Sequence, residues 1–139
     1  MKPKLTTNKD GTKKYFLNGK LHRTDGPAVE SEDGSKAWYI NGKYHRTDGP
    51  AIETADGTKV WYLNGGKHST EGPAVELADG TKFWYQNGKI HRTDGPAIEN
   101  ADGTKEWWIN GKNVTEEAAG WLKEYPLPEN ETLFKLTWA

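Results

Sequence analysis

The sequence contains no cysteine and only one methionine among its 139 residues. Without cysteine the chain forms no disulfide and offers no thiolate ligand to a metal, so a reducing compartment is the simpler expectation. Long apolar runs are also missing, since only 33% of the residues are hydrophobic. The N-terminus, Met1-Lys2-Pro3-Lys4, leads into none. We therefore expect neither a signal peptide nor a membrane span, and a cytoplasmic location.

An excess of charge of either sign is lacking too. Nineteen Lys and Arg residues against twenty Asp and Glu residues give a net charge of −1. Non-specific binding to nucleic acid or to an anionic membrane needs a basic stripe, so the first is not expected and the second is disfavoured. Aromatic residues are what the chain does have. Its seven Trp and six Tyr each remove about 150–250 Å² from water when they are buried.

These aromatic residues recur at a fixed interval. Histidine and tryptophan each return every 23 residues, His22, His45, His68 and His91 with Trp38, Trp61, Trp84 and Trp107. Such a period is typical of a stacked array whose units cannot bury their apolar faces alone. We predict an all-β array over residues 1–112, in which 1–21 is a truncated first repeat and the full repeats span about 22–44, 45–67, 68–90 and 91–112.

Each unit has the residues of a β-hairpin. Pro50-Ala51-Ile52-Glu53 is predicted to be the first strand, and Lys59-Val60-Trp61-Tyr62-Leu63 is predicted to be the second. Gly57 closes a three-residue loop between them, and Asn64-Gly65 is a further turn. The units together are expected to form one elongated, twisted antiparallel sheet.

The register follows from the loop length. If Gly57 closes a three-residue loop, Glu53 lies opposite Lys59 and Ala51 lies opposite Trp61. The same count pairs an acid with a lysine in the other full units: Glu30 with Lys36, Glu76 with Lys82, and Glu99 with Lys105. The Ala/Trp column is the predicted inner face, and the Val/Ile and Tyr positions form the other.

After Lys112 the repeat stops, and Val114 stands where the next His would fall. Thr115 is predicted to cap a helix with acidic residues in its first turn. This helix is expected to end before Pro126 and Pro128. The alternation of Phe134, Leu136 and Trp138 predicts a strand. Residues 113–139 are therefore expected to form a helix-plus-strand cap that covers one end of the sheet.

The unit resembles the MORN repeats. More closely, His45-Arg46-Thr47-Asp48-Gly49-Pro50-Ala51, with the Asp-Gly-Thr-Lys and Trp-Tyr…Asn-Gly segments that follow, resembles a MORN-like variant of bacteriophage and large-virus proteins. The resemblance covers about residues 8–112. It implies a non-catalytic scaffold for protein contacts, sometimes with phospholipid contacts. A phage origin would make a host protein the expected target and the host cytoplasm the expected location.

The histidines and the acids three residues later suggest a metal site, and geometry argues against one. If each unit adds two strands to one sheet, equivalent histidines lie about 9–10 Å apart, whereas Zn²⁺ holds its nitrogen ligands at about 2.0–2.1 Å. We expect structural turns instead, with no metal, no cofactor and no catalytic residue. Besides the His and Trp columns, the structural positions are Asp25, Asp48 and Asp94. The arginines at 23, 46 and 92 are expected to pair with acids along aromatic surface.

Aromatic side chains remain as the predicted partner-binding surface, because they bury much area at little entropic cost. The candidates are Tyr39, Tyr62, Phe83, Tyr85 and Trp108. The predicted function is a protein-binding scaffold or inhibitor. Packing of the same rings between units is the alternative explanation and the somewhat favoured one, and two other functions stay open. One is the binding of a small ligand or nucleotide between array and cap, and the other is phospholipid binding at a membrane surface.

Overall fold

In the computed structural model, which describes residues 2–124, the chain is almost entirely β-structure. The strands are β1 (Lys4–Thr7), β2 (Lys13–Leu17), β3 (Lys20–Leu21), β4 (Val29–Glu30), β5 (Lys36–Ala37), β6 (Tyr39–Ile40), β7 (Lys43–Tyr44), β8 (Ile52–Glu53), β9 (Lys59–Val60), β10 (Tyr62–Leu63), β11 (Gly66–Lys67), β12 (Val75–Glu76), β13 (Lys82–Phe83), β14 (Tyr85–Gln86), β15 (Lys89–Ile90), β16 (Ile98–Glu99), β17 (Lys105–Glu106), β18 (Trp108–Ile109) and β19 (Lys112–Asn113). One helix, α1, spans Thr115–Glu124. The predicted all-β hairpin array with a C-terminal helix is confirmed.

The central feature is an eleven-stranded antiparallel sheet. Each full unit contributes two adjacent strands, and strands from successive units pair in chain order from β1 to β17, with β3 beside β2. All four predicted Glu–Lys pairs form within the hairpins. The same acids also face a lysine of the preceding unit, as Glu53 faces Lys36. Opposite charges therefore alternate across the whole sheet, and each such cross-strand pair stabilises it by about 0.2–1 kcal/mol.

A second row of short ladders runs beside this sheet. In each full unit the strand after the tryptophan folds back on the next strand, as β6 does on β7 and β10 on β11. The turns between them carry Asn and Gly, both with positive φ: 50° at Asn64 and 83° at Gly65. Type I′ turns require this conformation at both central residues, which explains the Asn-Gly pair. The loop predicted at Gly57 also forms. Gly57 has φ of 98°, and the amide of Thr54 donates to the carbonyl of Thr58 at 2.9 Å.

The alanine column is fully buried. Ala28, Ala51, Ala74 and Ala97 are each 0% exposed. The predicted pairing of Ala51 with Trp61 is wrong, however, because the amide of Ala51 donates to the carbonyl of Val60, which also faces Ile52. Two residues opposite one is a β-bulge. Trp61 instead donates its amide to Ala74 of the following unit, at 2.7 Å.

Helix α1 packs on the last unit. Val114 and Ala118, 1% and 0% exposed, form an apolar cluster with Trp107 and Ile109. The amide of Val114 donates to the carbonyl of Trp107, as the histidines do in earlier units. The predicted cap at Thr115 is wrong, because Thr115 is already the first helical residue. Its hydroxyl accepts from the amide of Trp107 at 3.1 Å.

The amide of Thr115 is satisfied by the side chain of Asn113, at 2.9 Å.

The predicted strand with Phe134, Leu136 and Trp138 lies outside the described residues, as do Pro126 and Pro128. Between residues 2 and 124, no helix has the length and apolar character needed to cross a bilayer.

Candidate functional site

The His-Arg-x-Asp-Gly-Pro segments form a regular row of loops on the array. In three units the guanidinium lies over an aromatic ring of the preceding unit, with Arg23 over Tyr15 at 4.1 Å, Arg46 over Trp38 at 3.8 Å and Arg92 over Trp84 at 4.0 Å. These are cation–π distances. Two of the three rings are tryptophans, Trp38 and Trp84, and each is half-buried with an arginine over its face.

The rest of each guanidinium is held by acceptors of its own unit. Arg46 donates through Nε to Asp48 at 3.0 Å and through Nη1 to the carbonyl of Pro50 at 3.0 Å and to Glu53 at 3.5 Å. Arg23 and Arg92 make the equivalent contacts. The hydrogen bond from Arg23, followed by its charge, lowers the pKa of Asp25. The expected pairing of arginine with acids along aromatic surface is therefore what forms.

The histidines have a different partner from the one considered in the sequence. In all four full units the imidazole Nδ1 accepts the backbone N–H of the asparagine nineteen positions later, at 3.0 to 3.1 Å. These pairs are His22–Asn41, His45–Asn64, His68–Asn87 and His91–Asn110. Nδ1 must be unprotonated to accept, which fixes the proton of the neutral ring on Nε2. Each histidine thus ties its loop to the Asn-Gly turn that follows.

Among the described residues there is no group of three or more His, Cys, Asp or Glu side chains placed to hold a metal ion. The carboxylates of Asp25, Asp48 and Asp94 bind arginine and not histidine. The His and Asp columns are therefore separate hydrogen-bonding systems. Neither brings a nucleophile to a base in the manner of a hydrolytic site.

The predicted partner-binding residues divide between two surfaces. Tyr39, Tyr62, Tyr85 and Trp108 occupy equivalent positions in the second row of ladders, and all are half-buried. Phe83 lies instead in the large sheet, between Val75 and Ile98. The structure thus groups four of the five candidates. We call these four residues, together with Tyr44, the aromatic row.

Tyr44 is the member that sequence reasoning missed. Its ring lies 4.5 Å from that of Tyr39 and 4.9 Å from that of Tyr62, so three tyrosines from two units form a continuous stack. Burial raises the pKa of Tyr39 above its usual value, and a hydrogen bond with Tyr44 adds to this shift. Burial also raises the pKa of Tyr62. At the next position Lys67 lies over the ring of Tyr85, at 5.2 Å.

Open grooves separate consecutive loops of the His-Arg row. One of about 690 Å³ lies between the loops of Arg23 and Arg46 over Trp38. The next, about 340 Å³, lies over Trp61, and a third, about 460 Å³, lies over Trp84. These three grooves are formed by the array. The pocket between array and cap that a small-ligand function would need stays a prediction, because residues 125–139 lie outside the described part of the chain.

No family model matches this sequence, and a search of curated proteins gives no significant match.

Proposed function

We propose that the protein is a non-catalytic scaffold that binds another protein through the aromatic row. The observation that carries this proposal is the tyrosine stack itself. Its rings lie 4.5 Å apart within one unit and 4.9 Å apart between that unit and the next, on short strands paired by hydrogen bonds. Aromatic side chains that are already ordered bind with little further loss of conformational entropy. Their remaining exposed edges therefore provide a preorganised contact surface.

The frame under the row is rigid for reasons visible in the backbone. The amide of Gly65 donates to the carbonyl of Tyr44 in the preceding unit at 3.0 Å, and the amide of Arg46 donates to Tyr62 at 3.2 Å. The His45–Asn64 bond joins the same turn to the start of its own unit. One backbone bond to the preceding unit and two bonds within the unit hold the rings at a fixed spacing, which favours a partner with a matching flat surface.

The resemblance to MORN-like arrays supports the same proposal, because such arrays imply scaffolds for protein contacts. With the phage origin that this variant implies, the partner is a host protein and the effect of binding is inhibition. No basic stripe adds an electrostatic attraction to phospholipid, since the net charge is −1. The aromatic row, and not a charged face, is therefore the surface to test.

The test compares capture of proteins from host lysate by the intact protein and by a Tyr62→Ser/Tyr85→Ser double variant. The variant removes two rings from the row and is expected to lose the captured protein. The matched control is Leu77→Ser, which removes an apolar side chain, 36% exposed, from a loop at the other end of the unit. Equal capture by all three proteins would contradict the proposal, and so would equal loss in both variants.

A further inference from the structure

One unit of the array has no arginine in its loop. Residues 68–90 carry Ser69 at the position of Arg46 and Glu71 at the position of Asp48. This loop follows Trp61 as the loops of Arg46 and Arg92 follow Trp38 and Trp84. Among the described residues, those two tryptophans have a guanidinium over the ring and Trp61 has none. The groove over it is about 340 Å³ and is lined by Arg46, Asp48, Trp61, Leu63, Ser69 and Glu71.

The backbone around Trp61 is the same as in the units that do hold an arginine. The amide of Trp61 donates to Ala74 at 2.7 Å, as that of Trp38 donates to Ala51 at 2.7 Å. The amide of Ser69 donates to Tyr85 at 3.3 Å, against 3.2 Å for Arg46 and Tyr62. The backbone at the ring and at the loop thus keeps the same hydrogen bonds, and the side chains of residues 69 and 71 are what differ.

The space that an arginine fills elsewhere is open here. A Cβ placed on Gly49 would lie 2.9 Å from Cζ of Arg46, and one on Gly95 would lie 2.9 Å from Cζ of Arg92. At Gly72, the equivalent glycine, a Cβ would meet no atom within 4 Å. The space that a guanidinium occupies beside Gly49 and Gly95 is therefore free beside Gly72.

The acceptors for a guanidinium are present, and the two carboxylates among them make no close ion pair within the described residues. In the other units the guanidinium bonds an acid two positions on, the proline carbonyl and a strand glutamate. Their equivalents here are Glu71, the carbonyl of Pro73 and Glu76. In the part of the chain that the structure describes, neither of these glutamates has an ion-pair partner within 4.0 Å.

We propose that this groove binds a guanidinium group, supplied by an arginine side chain of a protein partner. The partner's guanidinium lies on the ring of Trp61 and donates to Glu71, Glu76 and the Pro73 carbonyl. It thereby completes in trans the arrangement that Arg23, Arg46 and Arg92 complete in cis. The proposal deepens the scaffold function and rests on it only for the source of the arginine.

Guanidinium fits this site better than ammonium. The three occupied sites use a planar group that stacks on a ring and donates sideways from separate nitrogens. An ammonium is a compact, strongly hydrated point charge without that fork. A lysine derivative is therefore expected to bind at least about tenfold more weakly than the matched arginine derivative, as bidentate and stacked sites are not conserved between the two residues.

The test uses the ¹⁵N-labelled intact protein and N-acetyl-arginine methylamide as the probe. Saturable shifts are expected at the indole N–H of Trp61 and at the amides of residues 69–72, with N-acetyl-lysine methylamide as the comparison. Ser69→Arg places the chain's own guanidinium in the groove and is expected to abolish these shifts. Because three other units carry arginine there, this variant keeps the local pattern of the fold. Glu76→Gln is expected to weaken binding without filling the groove.

Arg46→Ser is the reciprocal variant, since it removes the guanidinium that covers the ring of Trp38. It is expected to gain a second saturable site, read at the indole N–H of Trp38. No saturable shift at Trp61 in the unaltered protein, unchanged shifts in Ser69→Arg, or equal affinity for the lysine derivative would overturn the proposal. These outcomes are independent of the aromatic row, because they need no partner protein and leave Tyr62 and Tyr85 unchanged.

Discussion

Two adjacent glycines, Gly65 and Gly66, are expected to respond to the same substitution in opposite directions. Gly65 is the second central residue of the Asn-Gly turn and has φ of +83°, whereas Gly66 has no positive φ. A Cβ on Gly65 would lie 3.6 Å from Lys43, and one on Gly66 would lie 3.7 Å from the carbonyl oxygen of Leu63. Both are ordinary contacts. Backbone conformation alone therefore separates the two sites.

The magnitude follows from that difference. An L-residue in the left-handed region costs roughly 1–2 kcal/mol, so Gly65→Ala is expected to lower the free energy of unfolding by about that amount. At Gly66 the alanine reduces the entropy of the unfolded chain without strain, which stabilises by about 0.4–1 kcal/mol. The two variants should therefore differ by roughly 1.4–3 kcal/mol, the sum of the two effects.

Urea denaturation followed by tryptophan fluorescence measures this difference. Equal slopes in urea for both variants show that the same surface is exposed on unfolding, so that the midpoints report stability. Gly66→Lys is a second check, because Lys20, Lys43, Lys89 and Lys112 hold the equivalent position in the other units. Shifts of both alanine variants in the same direction, or no shift for Gly65→Ala, would refute the reasoning.

Four other changes test the rest of the frame. His45→Phe removes the acceptor of the Asn64 amide and is expected to cost about 0.5–1.5 kcal/mol, or up to about tenfold in exchange protection of that amide. Ala51→Leu overpacks a site that is 0% exposed and is expected to cost about 1–3 kcal/mol in thermal unfolding. Hydrogen bonds from the side chain of residue 54 and the backbone of residue 58 lower the pKa of Asp56 below its usual 3.8. Its contribution to stability is therefore present above pH 3.8 and lost as the pH falls through the lower folded value, so Asp56→Asn should flatten the acid unfolding curve. Deleting residues 45–67 should leave a folded, shorter β-array by circular dichroism.

Each of these has a control within the chain. The amide of Asn41, bound to His22, should keep its protection in His45→Phe. Ala55→Leu, in an exposed loop, should be nearly neutral where Ala51→Leu is not. The deletion joins Tyr44 to residue 68 and brings Lys36 opposite the next glutamate, so an unfolded product would show that the units are not interchangeable. Acid curves that coincide for Asp56→Asn and the unaltered protein would exclude the proposed role of that carboxylate.

Features set by residues close in the chain were predictable from the sequence. The three-residue loop at Gly57 determines that Glu53 faces Lys59, because a hairpin loop fixes the register of its strands. Asn64-Gly65 identifies its turn because both residues tolerate positive φ. The helix start was found within one or two residues, although its bonds involve Asn113 and not a Thr115 cap.

Contacts between residues far apart in the chain, within a unit or between units, were not predictable in the same way. The bond from His45 to Asn64 joins a side chain to a backbone amide nineteen residues away, and nothing local requires it. Arg46 lies on the tryptophan of the preceding unit, which depends on how far one loop reaches over the next. The β-bulge at Ala51 was not predicted, for a related reason. A register derived by counting residues assumes that each residue faces one residue on the next strand. At the bulge both Ala51 and Ile52 face Val60, so the count fails there.

Three units carry an arginine in the loop and residues 68–90 carry Ser69 there, so the three indicate which group the fourth lacks. Arg46 and its equivalents meet their acceptors, their ring and their glycine in the same geometry, so that geometry needs no external ligand. In residues 68–90 the ring, the acceptors and the space remain while the guanidinium is replaced by the short side chain of Ser69. Among the described residues the carboxylates of Glu71 and Glu76 make no ion pair within 4.0 Å, and a guanidinium on the ring of Trp61 would provide one. The sites of Arg23, Arg46 and Arg92 each contain a guanidinium, and a guanidinium is therefore the group that we expect in the site of residues 68–90.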